Sequence, residues 1–335
     1  MIGIRADGNE KIGLGHIMRC LSIAHALEKL GQKPVFITVD AAEFIIKNGF
    51  DCVTLQGCYD DLSGEHAKLT SIIAQKNISL LLVDSYFADD AYFEGLQTKI
   101  AVLFDFGVVP KKADVMINYN ISYGSFDYPT DKKVLLGCEY VPLRQEFTDL
   151  KLSRDVSQVK TVMITVGGAD PHNLTFQILN QLVKDRFFEK IRFQVVIGSL
   201  NCYADNIKKL AKNYQNVVCL ENVKKMSEVM KASDIAVSAG GSTLYEICAA
   251  QLPCVTFAFA DNQYELIDVM QKKGVMRSAG KLKDGGLADK VTDCLKELID
   301  NQKLREAFVK KEAELIDAKG AQRIAQALIE EISEK

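Results

Sequence analysis

The segment RADGNEKIGLGHIMR, residues 5–19, brings together an arginine, an aspartate, a tight glycine pair, a histidine and a second arginine. Gly13 and Gly15 allow sharp turning and the close approach of a ligand. The apolar spacing of Ile17, Leu21, Ala24 and Leu27 predicts a helix over 16–30, so His16 falls on its first turn. Arg19 lies one turn on, on the same face. An imidazole so placed can act as acid or base near neutral pH. The positive end of the helix favours its neutral, proton-accepting form. A lone histidine there can equally be a packed residue, and GxG alone is a weak signal. A strand carrying Arg5 and Asp7, then GLGH, then Arg19 is far more specific.

Four further strand ends carry candidate groups. VDSYFAD places Asp84, Ser85 and Tyr86 at the mouth of the first sheet. In TVGGAD, Gly167 and Gly168 permit an unusual backbone, and Asp170 can cap a helix starting near Pro171. SAGGSTLYE offers the amides of Gly240 and Gly241 and the hydroxyls of Ser242 and Thr243 at a helix start, which suits a pyrophosphate. Glu246, on the first turn of that helix, can accept two ribose hydroxyls, or simply face solvent and stabilise the helix dipole. FAFADNQYE opens another helix with Asp261, Asn262 and Gln263, which can face a sugar or serve as caps.

These groups need a scaffold that delivers strand ends to one edge. Short β-branched runs alternate with helical stretches along the whole chain, which predicts an α/β protein with parallel sheets covered by helices on both faces. The charged, aperiodic stretch YVPLRQEFTDLKLSRDVSQVK interrupts the pattern, so we expect two Rossmann-like domains, 1–150 and 151–335, with their sheets facing a central cleft. The tail from about Asp289 onward has a helical pattern, and its last helix is placed to cross back to the first domain.

Composition narrows the function classes. Lysine and arginine are spread out and the net charge is −3, which argues against nucleic acid as a partner. The apolar runs are too short for a membrane span, no docking patch stands out, and an arginine and an aspartate interrupt the N-terminal stretch, so a cytoplasmic protein is expected. Nine cysteines without a CxxC pair fit free thiols better than disulfides or zinc. Walker A, complete GxGxxG, HExxH and GxSxG motifs are missing, and no DxD stands in a loop suited to a metal. We expect neither a metal nor a cofactor, with backbone amides handling any phosphate.

The RADGNEKIGLGHIMRCLSIA segment resembles the N-terminal signature of the UDP-sugar hydrolases of the pseudaminic acid pathway and of related spore-coat polysaccharide proteins. DSYFAD, GGAD, SAGGSTLYEICA and DNQYE match in the same order, so the likeness covers most of the chain and is weakest over 120–160 and beyond about 280. The resemblance implies the GT-B fold, shared with the murein glycosyltransferase that adds N-acetylglucosamine. It implies UDP-2,4-diacetamido-2,4,6-trideoxy-β-L-altropyranose as substrate, hydrolysed at the anomeric carbon without a metal. It makes His16 the water-handling residue, with Tyr86 and Asn262 near the sugar or the water. Glu246 would hold the ribose, the 240–243 loop the pyrophosphate, and Val223 the uracil through its backbone. Arg5, Asp7, Gly13, Gly15, Arg19, Gly167, Gly168 and Gln263 complete the expected substrate-binding set. The alternative within the fold is a GT-B glycosyltransferase using a UDP-sugar donor in surface polysaccharide synthesis. A non-catalytic nucleotide-sugar binder would not need His16 and Arg19 on one helical face. A UDP-sugar 2-epimerase would carry other acidic and histidine residues in the second half, where only His172 stands.

Overall fold

The computed structural model describes residues 1–9, 11–104, 107–148, 150 and 154–333. Asp105 and Phe106, which close the apolar run AVLFDF whose pattern predicts a strand, lie outside them, as do Asp149 and 151–153 of the aperiodic stretch. The chain divides into two compact units, one formed by Met1–Gln145 with Ala318–Lys335, the other by Glu146–Asp317.

In the first unit the chain runs β1 (Ile2–Ala6), α1 (Gly15–Lys29), β2 (Val35–Thr38), α2 (Ala42–Lys47), β3 (Asp51–Thr54), α3 (His66–Gln75), β4 (Leu80–Asp84), α4 (Asp90–Phe93), β5 (Lys99–Leu103), β6 (Val115–Asn118) and β7 (Lys133–Leu136). These strands form one parallel sheet ordered β3-β2-β1-β4-β5-β6-β7. β1 and β4 at its centre are buried at every residue, whereas β3 at its edge is not. Continuous burial is what helices on both faces impose on a parallel strand.

The short α5 (Gln145–Thr148) stands where the first unit gives way to the second. Next come β8 (Thr161–Thr165), α6 (Leu174–Leu182), β9 (Arg192–Ile197), α7 (Ala204–Ala211), β10 (Val217–Glu221), α8 (Met226–Lys231), β11 (Ile235–Ala239), α9 (Thr243–Ala249), β12 (Cys254–Ala258), α10 (Asp261–Lys272), β13 (Arg277–Lys281), α11 (Leu287–Asp300) and α12 (Gln302–Leu315). The sheet is again parallel, ordered β10-β9-β8-β11-β12-β13. Arg305, almost wholly buried on α12, donates to the carbonyls of Leu298, Ile299 and Val156, and so fastens the start of this unit to its last helices.

Two strands escape the sequence reading. β7, Lys-Val-Leu-Leu, is four residues long and follows a stretch rich in tyrosine, proline and glycine, and β13 reads Arg-Ser-Ala-Gly-Lys, without an apolar run; both are half-covered edge strands. α6 starts at Leu174 rather than near Pro171, because Asp170 and Asn173 both adopt left-handed backbone. The helical tail is likewise broken: left-handed Ala318 separates α12 from α13 (Gly320–Ser333).

α13 belongs to the first unit, where it packs against α1. A Cβ on Gly320 would stand 2.2 Å from the carbonyl oxygen of Val141, so only glycine fits where the helix begins. Among the described residues no helix is long and apolar enough to cross a membrane. Ile324 and Leu328 of α13 are fully buried. Changing either to alanine is expected to destabilise the protein by about 2–5 kcal/mol, the usual cost of emptying such a site. Denaturant titration measures this, and a loss below about 1 kcal/mol would mean that α13 lies loosely on its unit.

Candidate active site

In each sheet two neighbouring strands send their following chain in opposite directions, and a crevice opens beyond their carboxyl ends. In the first unit these strands are β1 and β4. β1 leads through the Gly13 turn into α1, and β4 ends on Asp84, so His16 and Asp84 meet although 68 positions apart. Gly13 has φ +72° and closes the turn through its amide to Asn9 O at 2.8 Å. A Cβ on Gly13 or Gly15 would meet nothing within 4 Å, so packing does not demand glycine at either and the space beside them is open.

Asp84 is the centre of this site. Its side chain is fully buried and accepts from Arg19 Nε at 2.6 Å and from Arg19 Nη2, a bidentate pair. His16 Nδ1 lies 2.7 Å from Asp84 Oδ1. Burial opposes the charge on Asp84, but Arg19 and then His16 outweigh it and hold the carboxyl well below the usual carboxylate range. The carboxylate accepts a hydrogen bond from Nδ1–H, which selects the tautomer with its lone pair on Nε2. Arg19 Nη2 also lies 3.0 Å from Nδ1, an approach that follows from their shared acceptor, since both are donors. Arg19 Nη1 donates to the Tyr119 hydroxyl at 2.5 Å. The Tyr86 ring stands edge-on to His16 with centroids 4.7 Å apart.

Arg5 corrects the sequence reading. It is wholly buried, with Nε and Nη2 on the two oxygens of Glu65, both at 2.8 Å, and Nη1 on Asp7. No face of its guanidinium is left for a substrate, so it anchors Asp7. The other oxygen of Asp7 accepts from Thr38 Oγ1 and Val39 N, at 3.0 and 2.7 Å.

In the second unit the crevice lies between β8 and β11. Gly167 has φ +94°, and a Cβ on Gly198 would stand 2.3 Å from the carbonyl oxygens of Gly167 and Gly168. Gly198 is thus part of this loop's construction, which the sequence reading missed. Asp170 accepts from Leu174 N and Thr175 N at 2.7 and 2.9 Å, so those two first-turn amides of α6 are already answered by a carboxylate. The start of α9 differs, for the Ser242 side chain makes no cap bond there. Gly240 is required by packing, since a Cβ would come 2.7 Å from Ile267 Cγ2, but a Cβ on Gly241 would meet nothing within 4 Å. Thr243 and Glu246 are half-buried on the first turn of α9, and Ser242 is exposed.

Asn262 is exposed on the first turn of α10. Gln263 is half-buried, and its Oε1 accepts from Phe259 N at 3.0 Å, so one end of its amide braces its own loop. Val223 stands apart from the glycine loops, after β10 at the outer edge of the sheet, behind left-handed Asn222. The sequence reading also left Glu65 and Tyr119 without a role and Asp84 without a partner. A carboxylate closing a wholly apolar strand was the available signal, because such a charge needs a cation.

A family model described as the glycosyltransferase family 28 C-terminal domain matches residues 161–324. The chain is 29% identical to an uncharacterised protein of Methanocaldococcus jannaschii over 86% of its length, spanning 62% of that protein. It is 22% identical over its full length to the spore coat polysaccharide biosynthesis protein SpsG of Bacillus subtilis, spanning 99% of it. It is 25% identical over 81% of its length to the UDP-2,4-diacetamido-2,4,6-trideoxy-β-L-altropyranose hydrolase of Campylobacter jejuni, spanning 96% of it. The chain is similar to these relatives, and its two parallel-sheet Rossmann-like units have the GT-B fold. The fold agrees: MurG of Acinetobacter baumannii superposes with a TM-score of 0.71 over 98% of this chain and 99% of that one, at 12% identity.

The Asp84 carboxyl titrates below its unfolded value of about 3.9, so the stability it supplies is complete above that pH and is lost as pH falls through the folded value. Wild type is therefore expected to lose more stability than Asp84→Asn between about pH 5 and about pH 2, and the gap between the two to narrow. Urea titrations across that range measure this. A constant gap would give Asp84 an ordinary carboxyl.

Proposed function

We propose that the protein hydrolyses a UDP-linked deoxy amino sugar at its anomeric carbon, releasing UDP and the free sugar. The observation that carries this reading is the buried Asp84 that orients His16 as a proton acceptor at the mouth of the first sheet. The relative named UDP-2,4-diacetamido-2,4,6-trideoxy-β-L-altropyranose hydrolase supports the choice of substrate class. In this reading His16 takes a proton from water as the water attacks, and the imidazolium that forms is stabilised by Asp84. Tyr86 and Asn262 contact the sugar or the water. UDP is a good leaving group, so most of the work is placement and charge stabilisation. The amides and hydroxyls of 240–243 meet the diphosphate, Glu246 the ribose and Val223 the uracil, and no metal is required.

A panel of UDP-sugars, with UDP release measured and the sugar product followed by NMR, tests the reading. Free sugar is the expected product. Product formed only with an added lipid or saccharide acceptor would make the protein a transferase instead.

His16→Asn should cut turnover by about 10²–10⁴ while leaving UDP affinity near wild type. Turnover, UDP titration and thermal melting on one preparation decide the matter. A folded variant that binds UDP and still turns over at the wild-type rate removes His16 from the chemistry.

Glu246→Ala should weaken UDP binding by about 1.5–3 kcal/mol for each ribose hydrogen bond lost. Calorimetric titration reads this directly, and equal affinities would make Glu246 a residue of the helix surface.

A further inference from the structure

The space over His16 is small. A cavity of about 10 Å³ has His16 and Asp84 among its floor residues and Ile12, Tyr59, Tyr86 and Phe87 among its walls. That is about the room one water-sized sphere needs. The walls come from separate loops: Ile12 from the β1–α1 turn, Tyr59 from the chain between β3 and α3, and Tyr86 and Phe87 from the turn after β4. Tyr59 and Phe87 meet edge-on with centroids 6.0 Å apart, and the Lys11 ammonium lies 6.0 Å from the centre of the Tyr59 ring. Tyr86 and Phe87 are 49% and 47% exposed, so neither ring is there to fill the core.

We propose that Tyr59 and Phe87 are specificity-determining residues that restrict the acceptor in the reaction to water. The proposal rests on the reading of the protein as a UDP-sugar hydrolase and explains what makes it one. Water and an alcohol react alike at an anomeric carbon. The acceptor oxygen bonds to that carbon, the bond from carbon to the diphosphate oxygen breaks, its electron pair leaves on UDP, and the acceptor's proton passes to His16. Water gives the free sugar and methanol gives the methyl glycoside. Acid–base chemistry at His16 cannot separate the two, so selection falls to size. A chamber sized for one water, walled by aromatic rings, accepts the smaller nucleophile and has no room for the carbon of the larger.

The test uses the full chain as wild type, Tyr59→Ala, Phe87→Ala and the double variant, with UDP-2,4-diacetamido-2,4,6-trideoxy-β-L-altropyranose as donor in buffer containing methanol. NMR gives the ratio of methyl glycoside to free sugar. Wild type is expected to yield free sugar, and the double variant to raise the glycoside share about 10-fold or more, the discrimination one carbon provides in a tight pocket. The ratio is unaffected by a general loss of activity, because a damaged variant makes less of both products. Both side chains are at least partly exposed, and a melting curve for each variant checks that it folds. An unchanged ratio in folded variants, or a wild type that forms the glycoside as readily as they do, overturns the proposal and leaves the hydrolase reading standing. A wild type that turns over none of the UDP-sugar panel overturns both.

Discussion

A negative charge fixed at the end of a fully apolar strand has to be matched, and in the first unit everything near the crevice is arranged around that requirement. Asp84 has no water to solvate it. Its stabilisation comes from the two-pronged contact with Arg19 and from the His16 ring, both carried by α1. The spacing of His16 and Arg19 places both on one side of the helix, so a single carboxylate can engage both. The tight turn at Gly13 starts α1 close enough to β4 for this to happen. Removing the carboxylate would take from a mostly buried guanidinium the negative charge that its two-pronged contact supplies, a costly change. The same pairing fixes the tautomer of the imidazole, so charge neutralisation and chemical competence have one source.

Next to it lies a second buried network of the same kind. Arg5 on β1 binds Glu65, Asp7 is held between Arg5 and Thr38, and the Tyr92 hydroxyl donates to Glu65 at 2.6 Å. Burial pushes the Tyr92 hydroxyl up, with Glu65 adding to the effect, so it stays a donor. This network fixes the shape of the β1 exit while Asp84 fixes the chemistry. The second unit works differently. Its crevice is built from glycine and backbone, with Asp170 answering amides of one helix start and the start of α9 left without a side-chain cap.

The parallel sheets and the strand-end loops were legible because alternation of apolar strands and amphipathic helices is a local signal. GLGH and GGST could be placed on helix starts for the same reason. What the sequence withheld was partnership. Arg5 and Arg19 are both arginines beside a glycine-rich loop, yet one is sealed in the core and the other braces the histidine; only the fold of Glu65 and Asp84 onto them separates the roles. Gln263 braces its own loop through Oε1, a bond the sequence does not announce, because a glutamine amide can cap backbone as readily as it can bind sugar. Of the edge strands, β13 is half covered and has no continuous apolar run, and the three apolar residues of β7 are too few to stand out beside the turn-rich stretch before them.

The placement of α13 bears on how the chain folds. The second unit is made of one continuous stretch, 146–317, whereas the first takes its last helix from the far end. During synthesis from the N-terminus, α1 is made early, but the helix that covers it follows only after the whole second unit. The nascent first unit therefore carries an uncovered apolar face until the whole second unit has been made, and the second unit can close before the first is complete. Order of synthesis and order of completion are reversed. The period of greatest exposure to aggregation or chaperone capture falls on the half that bears His16.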